Sequence, residues 1–191
     1  MFERFDQHLF LFLNSHNSPF WDQVMYNLSG RIIWIPLYLA ILIALGFKYK
    51  RKFYVIILMI IIAITLSDQF SVIIKNIFHR LRPCHEPALE GLVHLVKGIC
   101  GGAYGFVSSH ASNSFMAATL SLLLIRRKWF TYGMIIWAFM IGYSRIYLGV
   151  HYPGDVICGS LVGVLVGWGV FKLYQITDKK LLPGFKYFNQ G

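Results

Sequence analysis

Five apolar runs, each closed by charged or turn-forming residues, set the frame of this chain. They cover roughly Ile32 to Phe47, Phe53 to Ile74, Ala111 to Ile125, Trp129 to Tyr147 and Gly154 to Tyr174. Apolar runs that approach ~20 residues and carry almost no charge are read as bilayer-crossing helices. The first is a little short and is helped by flanking aromatics. Residues 1–30 follow another pattern, with Phe5, Leu9, Phe10, Phe12, Leu13, Phe20 and Trp21 interrupted by Asp6, His8, Asn14, His16 and Asp22. That segment is too polar and broken to cross, and it predicts one or two interfacial amphipathic helices.

Composition agrees with this reading. Of 191 residues 57% are hydrophobic and 14% charged, which predicts an all-α integral membrane bundle and not a soluble domain. No internal repeat or low-complexity linker divides the chain, so residues 1–191 are expected to form one domain. Glu3 and Asp6 stand where a secretory signal would be basic, and no small-x-small cleavage site follows. The formal net charge is +10, but the bases cluster at the ends of apolar runs, so a nucleic-acid partner is not expected.

Five crossings alternate the connecting segments between two faces. One face takes Lys48, Lys50, Arg51, Lys52, Arg126, Arg127, Lys128, Lys172, Lys179, Lys180 and Lys186 against the single acid Asp178. The other takes the remaining seven bases and seven acids. The positive-inside rule puts the first face in the cytoplasm and the polar loops outside, in a bacterial inner membrane.

Three clusters fall on the outer face. Ser144-Arg145-Ile146-Tyr147-Leu148-Gly149-Val150-His151-Tyr152-Pro153-Gly154-Asp155 joins the last two runs. There a carboxylate four residues after an imidazole can fix one tautomer of a histidine nucleophile, with a guanidinium fork for anionic oxygens nearby. Pro153 opens the next helix with Asp155 in its first turn, where an acid also complements the helix dipole. Lys75 to Pro83 forms the second cluster: a helix running to about Leu81 puts Lys75 and Arg82 two turns apart on one face, and Pro83 turns Arg82 out of helical geometry. The third is Gly105-Phe106-Val107-Ser108-Ser109-His110, where Ser108 or Ser109 caps the third run and leaves free N–H groups for an anion. His110 beside them can protonate a leaving oxygen. Singly, each cluster also fits a membrane-edge or capping role. Their convergence on one face supplies cations, a helix N-terminus, a nucleophile with its acid and a second histidine, enough for phosphoryl transfer without a metal.

Lys75-x6-Arg82-Pro83, Val107-Ser108-Ser109-His110 and Ser144-Arg145-x5-His151-x3-Asp155 together resemble the three-part signature of the type 2 phosphatidic acid phosphatase superfamily, which also includes vanadium haloperoxidases. The resemblance implies a helical membrane bundle with His151 as nucleophile forming a phosphohistidine, Asp155 fixing its ring and His110 as acid for the leaving group. It implies Lys75, Arg82, Arg145, Ser108 and the backbone at Ser109 as phosphate ligands, with no cofactor and no metal. The middle motif departs from the family's usual Pro-Ser-Gly-His, with Val107 and Ser109 at the Pro and Gly positions. Ser109 keeps the backbone N–H but adds a Cβ.

Other features sharpen the expectation. Asp68, within the second run and seven residues before Lys75, is expected to orient Lys75 or Arg82. Cys84 and Cys100, with His85 and His94 between them, leave a disulfide and a zinc site as alternatives. Cys158 is expected to be packing. Gly159, Gly163, Gly167 and Gly169 suit close helix packing, within the bundle or in a dimer. The expected activity is hydrolysis of the terminal phosphate of a lipid phosphate or diphosphate, with undecaprenyl diphosphate favoured over lipid A phosphate and phosphatidylglycerol phosphate. The tails would enter sideways from the phospholipid bilayer. A lipid phosphotransferase using the same histidine and a non-enzymatic anion-binding or transport protein are the alternatives.

Overall fold

A computed structural model describes residues Phe2–Leu181. Lys186 lies outside the described residues, as do the side chains of Lys179 and Lys180. The bundle is helical, with seven α-helices among the described residues: α1 (Phe2–Ser15), α2 (Pro19–Ser29), α3 (Ile35–Tyr49), α4 (Phe53–Phe78), α5 (Ser109–Ile125), α6 (Lys128–Tyr147) and α7 (Pro153–Leu181). The five longest apolar runs are α3 to α7. Residues 32–78 and 153–178 are long and apolar enough to cross a bilayer on composition. α5 is more polar because it is the inner helix, burying Ser112, Ser114 and Ser121 on hydroxyl-to-carbonyl and hydroxyl-to-hydroxyl bonds.

Each helix stops for a local reason. Ser108 is extended and its hydroxyl accepts from the Ala111 N–H, so α5 begins at Ser109. Pro153, which lacks the N–H that a first helical position would leave unused, opens α7. α4 ends at Phe78, earlier than the extension to Leu81 expected from the sequence, because His79 turns left-handed at φ +48°. Arg82 therefore leaves the helix altogether. Its N–H bonds the Ala103 carbonyl and the Gly105 N–H bonds the Arg80 carbonyl, in a short extended pairing across Leu81 and Tyr104. Pro83 does hold Arg82 extended, at φ −73° and ψ 156°.

Between helices in lipid, close packing counts for more than apolar burial, since tails are as apolar as leucine. α7 meets α5 through Gly159, Gly163 and Gly167, where a Cβ would run into the backbone of Ser108, Ser112 and Met116. The glycine spacing is thus used within the chain; Gly169 faces open space. At one end of the bundle Lys48 donates to the Ile125 carbonyl (2.8 Å) and Lys52 pairs with Asp178 (2.6 Å). The opposite end gathers the α4 C-terminus, the α5 N-terminus and the α6–α7 turn.

The N-terminal segment forms two amphipathic helices, as expected. Its polar side, however, faces the protein. Asp6, Phe10 and Asn14 on one face of α1 are buried, whereas Phe5 and Phe12 are 65% and 62% exposed. Asn14 donates to the Tyr147 carbonyl (2.8 Å) and the His94 carbonyl (3.0 Å) and accepts from the His94 N–H (2.8 Å). In this way α1 ties down the last turn of α6. Cys84 and Cys100 are disulfide-bonded with Cα atoms 6.0 Å apart, which leaves neither thiol to bind zinc.

Candidate active site

At the end of the bundle where α4, α5, α6 and α7 converge lies a cavity of about 770 Å³, and Arg82, Ser109, His110, Arg145 and His151 all line it. Lys75, Ser108 and Asp155 stand behind that wall. The three clusters separated along the chain therefore meet at one place, bringing together Lys75, Arg82, Ser108, Ser109, His110, Arg145, His151 and Asp155.

His151 sits in the turn between α6 and α7 and is 2% exposed. Gly149, at φ +79°, makes that turn possible, and any Cβ there would strike the His94 carbonyl. The ring has defined roles for both nitrogens. Arg82 Nη1 lies 3.0 Å from Nε2, and since a guanidinium can only donate, Nε2 is the lone-pair nitrogen. Nδ1 then carries the proton and faces Asp155 Oδ2 at 3.4 Å. Burial first, and then the charges of Arg82, Arg145 and Lys75, hold the imidazole well below its ordinary value, outweighing a backbone hydrogen bond with Gly105. The ring is neutral at physiological pH, with a lone pair at the cavity.

The cations divide by how they are used. Arg145, on the last turn of α6, donates to Ser29 Oγ, while its buried Nε has no partner among the described residues. Arg82 donates from Nε to the Gly102 carbonyl (2.6 Å) and from Nη1 to the Val150 carbonyl (3.1 Å). Lys75 donates to the Val107 carbonyl and to Ser109 Oγ (2.8 Å). The family's usual glycine could not make the second bond, so the departure at Ser109 gives Lys75 a partner. Ser109 is the first helical residue of α5 and shows no left-handed backbone, so its Cβ is accommodated.

Behind His151, Asp155 is fully buried. Its Oδ2 also accepts from the Tyr152 N–H (3.0 Å), and its backbone carbonyl accepts from the Ser108 N–H (3.0 Å), joining α7 to α5. Its Oδ1 accepts from Arg80 Nη1 at 2.9 Å. Arg80 was legible only as one more base in the Lys75–Pro83 string, and Asp6 only as a polar break in the N-terminal segment. Asp68 meets its expected role only in part: it is exposed and accepts from Asn113 Nδ2 at 2.7 Å, with no hydrogen bond to Lys75 or Arg82 among the described residues, while its charge still acts on Lys75. The sequence put it on the Lys75 face, but the α5 side chain opposite reaches it first.

A second, apolar groove of about 480 Å³ opens beside the polar cavity, between α3, α4, α5 and α6. Trp34, Tyr38, Leu45, Ile64 and Leu120 are among its walls. The two spaces share Ser29, Gly30, Arg31, Ser109 and His110. An amphiphile with a phosphate at one end and hydrocarbon at the other matches that pairing.

The sequence matches the PAP2 superfamily over residues 52–178. A lipid A 4′-phosphatase of Bacteroides thetaiotaomicron is 40% identical over 167 residues, spanning 85% of this chain and 74% of that protein. A lipid A 4′-phosphatase of Porphyromonas gingivalis is 34% identical over 179 residues, spanning 93% and 76%. Among solved structures, that of Aquifex aeolicus LpxE superposes with a TM-score of 0.69 at 29% identity, covering 86% of this chain and 93% of that one.

Proposed function

This chain belongs to the PAP2 superfamily and is a membrane phosphatase, and on that premise we propose that it removes a phosphate monoester from a lipid A-type glycolipid. The sequence alone favoured undecaprenyl diphosphate. Relatives that are 40% and 34% identical over most of the chain and carry the lipid A 4′ activity support the glycolipid instead. The observation that carries the reading is the wall shared by the two spaces, where Ser109 and His110 border both the cationic cavity and the hydrocarbon groove.

In this reading the phosphate enters the cavity and draws the Arg82 guanidinium from Nε2 onto its oxygens. Arg145, whose Nε–H has no partner among the described residues, completes the cradle with the free N–H groups at the start of α5. Lys75 adds charge from behind Ser109. Until substrate binds, His110 is held neutral by burial and the Arg145 charge. It takes up a proton carried in with the phosphate, whose negative charge offsets the surrounding cations, and delivers it to the leaving sugar oxygen as His151 Nε2 attacks phosphorus and the ester P–O bond breaks. Water attacks the phosphohistidine in the second step, giving its proton to His110 and releasing inorganic phosphate and the free imidazole. Asp155 keeps the Nδ1 proton in place throughout. Fixed cations do the work of a metal in this scheme.

The chemistry is assigned to the outer face of a bacterial inner membrane. The basic end at Lys48–Lys52 and Arg126–Lys128 supports this orientation, as does a disulfide at the opposite end, since disulfides persist in oxidising compartments. All 191 residues act in this reading as one membrane-embedded domain, with 1–30 at the interface.

The test is phosphate release by purified protein in detergent from 4′-phosphorylated lipid A, undecaprenyl diphosphate and phosphatidylglycerol phosphate, with and without EDTA and a lipid acceptor. Fastest turnover of the lipid A phosphate, unaffected by EDTA and giving free phosphate, is the expected result. Preference for the diphosphate would restore the earlier substrate, and phosphate appearing on the acceptor would make the protein a transferase.

A further inference from the structure

We infer that Arg80 and Asp6 are positioning residues for the reaction, acting through Asp155 to hold a single net negative charge behind His151. The inference rests on the site reading above, in which His151 is the nucleophile and Asp155 its orienting acid.

Arg80 is not among the residues lining the cavity, and both its terminal nitrogens are engaged on the far side. Nη1 holds Asp155 Oδ1 at 2.9 Å and Nη2 holds Asp6 Oδ2 at 2.8 Å. The guanidinium carbon lies 4.2 Å from the centre of the Tyr152 ring, so the plane is clamped as well as paired. Asp6 in turn accepts from the Gly154 N–H through Oδ1 at 2.8 Å, gripping the first turn of α7. A Cβ at 154 would come within 2.7 Å of Asp6 Oδ2, so glycine is what permits this approach. Burial works against the Arg80 charge, but Asp155 and Asp6 together carry its affinity for the proton above the ordinary guanidinium value.

Two consequences follow from this chain of contacts. The first is geometric. With Oδ1 held by Arg80 and the Tyr152 N–H on Oδ2, the Asp155 carboxyl cannot rotate, and Oδ2 stays opposite Nδ1. The second is electrostatic. When Nε2 bonds to phosphorus while Nδ1 keeps its proton, the imidazole acquires a positive charge. An isolated Arg80–Asp155 pair would be neutral and would offer that charge little. The second carboxylate makes the Asp6–Arg80–Asp155 set net negative, matching the charge formed on the ring. The N-terminal helix is therefore part of the apparatus that supports the intermediate.

The inference is tested with Arg80→Gln, Arg80→Lys and Asp6→Asn, each alone and combined with Asp155→Asn. The readout is kcat and KM for phosphate release from 4′-phosphorylated lipid A by the full chain in detergent. Losing a charge-assisted bond of this kind predicts that kcat falls about 10- to 100-fold in Arg80→Gln and about 5- to 10-fold in Asp6→Asn. KM stays within about twofold, because neither residue meets the substrate. Arg80→Lys recovers part of the loss, since an ammonium can serve one carboxylate but not the fork. In the Asp155→Asn background neither change costs more than about twofold further, the non-additivity expected of residues acting through one another. Losses that multiply in that background, or a wild-type kcat in Asp6→Asn, overturn the inference. Should Arg80→Gln yield no folded protein, Asp6→Asn decides on its own, since it conserves shape while removing the charge and one of the two acceptors. A wild-type rate in Asp155→Asn alone would instead sink the underlying site reading, and this inference with it.

Discussion

The two sides of the His151 ring are built on opposite principles. On the cavity side charge is left under-used: Arg145 Nε has no hydrogen-bond partner among the described residues, and Arg82 rests on His151 Nε2 and on backbone carbonyls. On the far side every charge is spent, with Arg80 shared between Asp155 and Asp6 and each carboxylate also receiving a backbone N–H. Unpaired cations in a cleft are unstable alone and are arranged for an arriving anion, whereas a saturated network rigidifies and does nothing else. In the proposed mechanism, substrate binding and nucleophile alignment are thereby separated by the thickness of one imidazole.

That separation can be broken at its centre. His151→Ala removes the atom both sides serve, and phosphate release should fall by roughly 10⁴-fold or more with the helical content retained. Circular dichroism with a lipid phosphate assay checks both; near-normal turnover would leave the two sides without a common purpose. On the cavity side, Arg145→Gln should cost about 10²-fold in kcat/KM through lost transition-state charge stabilisation. It should also move the acidic limb of the pH profile. The nearby cation disfavours protonated His151, so its removal lets the ring take a proton at higher pH. The lone pair is then lost sooner as pH falls, and the limb shifts upward towards the ordinary histidine value. A limb that stays in place would show that burial and the remaining cations, Arg82 and Lys75, keep the ring neutral without Arg145. The smallest effect is expected at the boundary. Ser109→Ala removes one of the two Lys75 bonds and should change KM by about threefold with kcat nearly constant, measured by steady-state kinetics. A hundredfold loss would place the hydroxyl among the groups that act on the phosphate itself.

The cavity side was largely legible in the sequence and the far side was not. Pro83 announced that Arg82 leaves helical geometry, the Ser108-Ser109 pair that a helix starts at one or the other, and Pro153 with Asp155 that α7 begins beside His151. Each is a local rule of backbone chemistry, so spacing carried it. Arg80 stands two residues before Arg82 in the same basic string, and nothing local distinguishes one guanidinium from the other. Only the left-handed His79 and the docking of α1 turn Arg80 away from the cavity and towards Asp6. Asp6 and Asn14 likewise read as interruptions of an amphipathic helix until the protein surface that receives them is known. The contact between Asp68 and Asn113 joins residues 45 positions apart, and helical periodicity within α4 could not supply it.

The glycine seam between α5 and α7 sets what can move in this enzyme. With Gly159, Gly163 and Gly167 seated against opposing main chain, these two helices form a single stiff stave that bears His110 on one edge and Asp155 on the other. Any widening of the groove is thus expected at its α3 wall, which stands outside that seam. In the proposed mechanism the spacing between His110 and the start of α7 would then hold while the doorway widened.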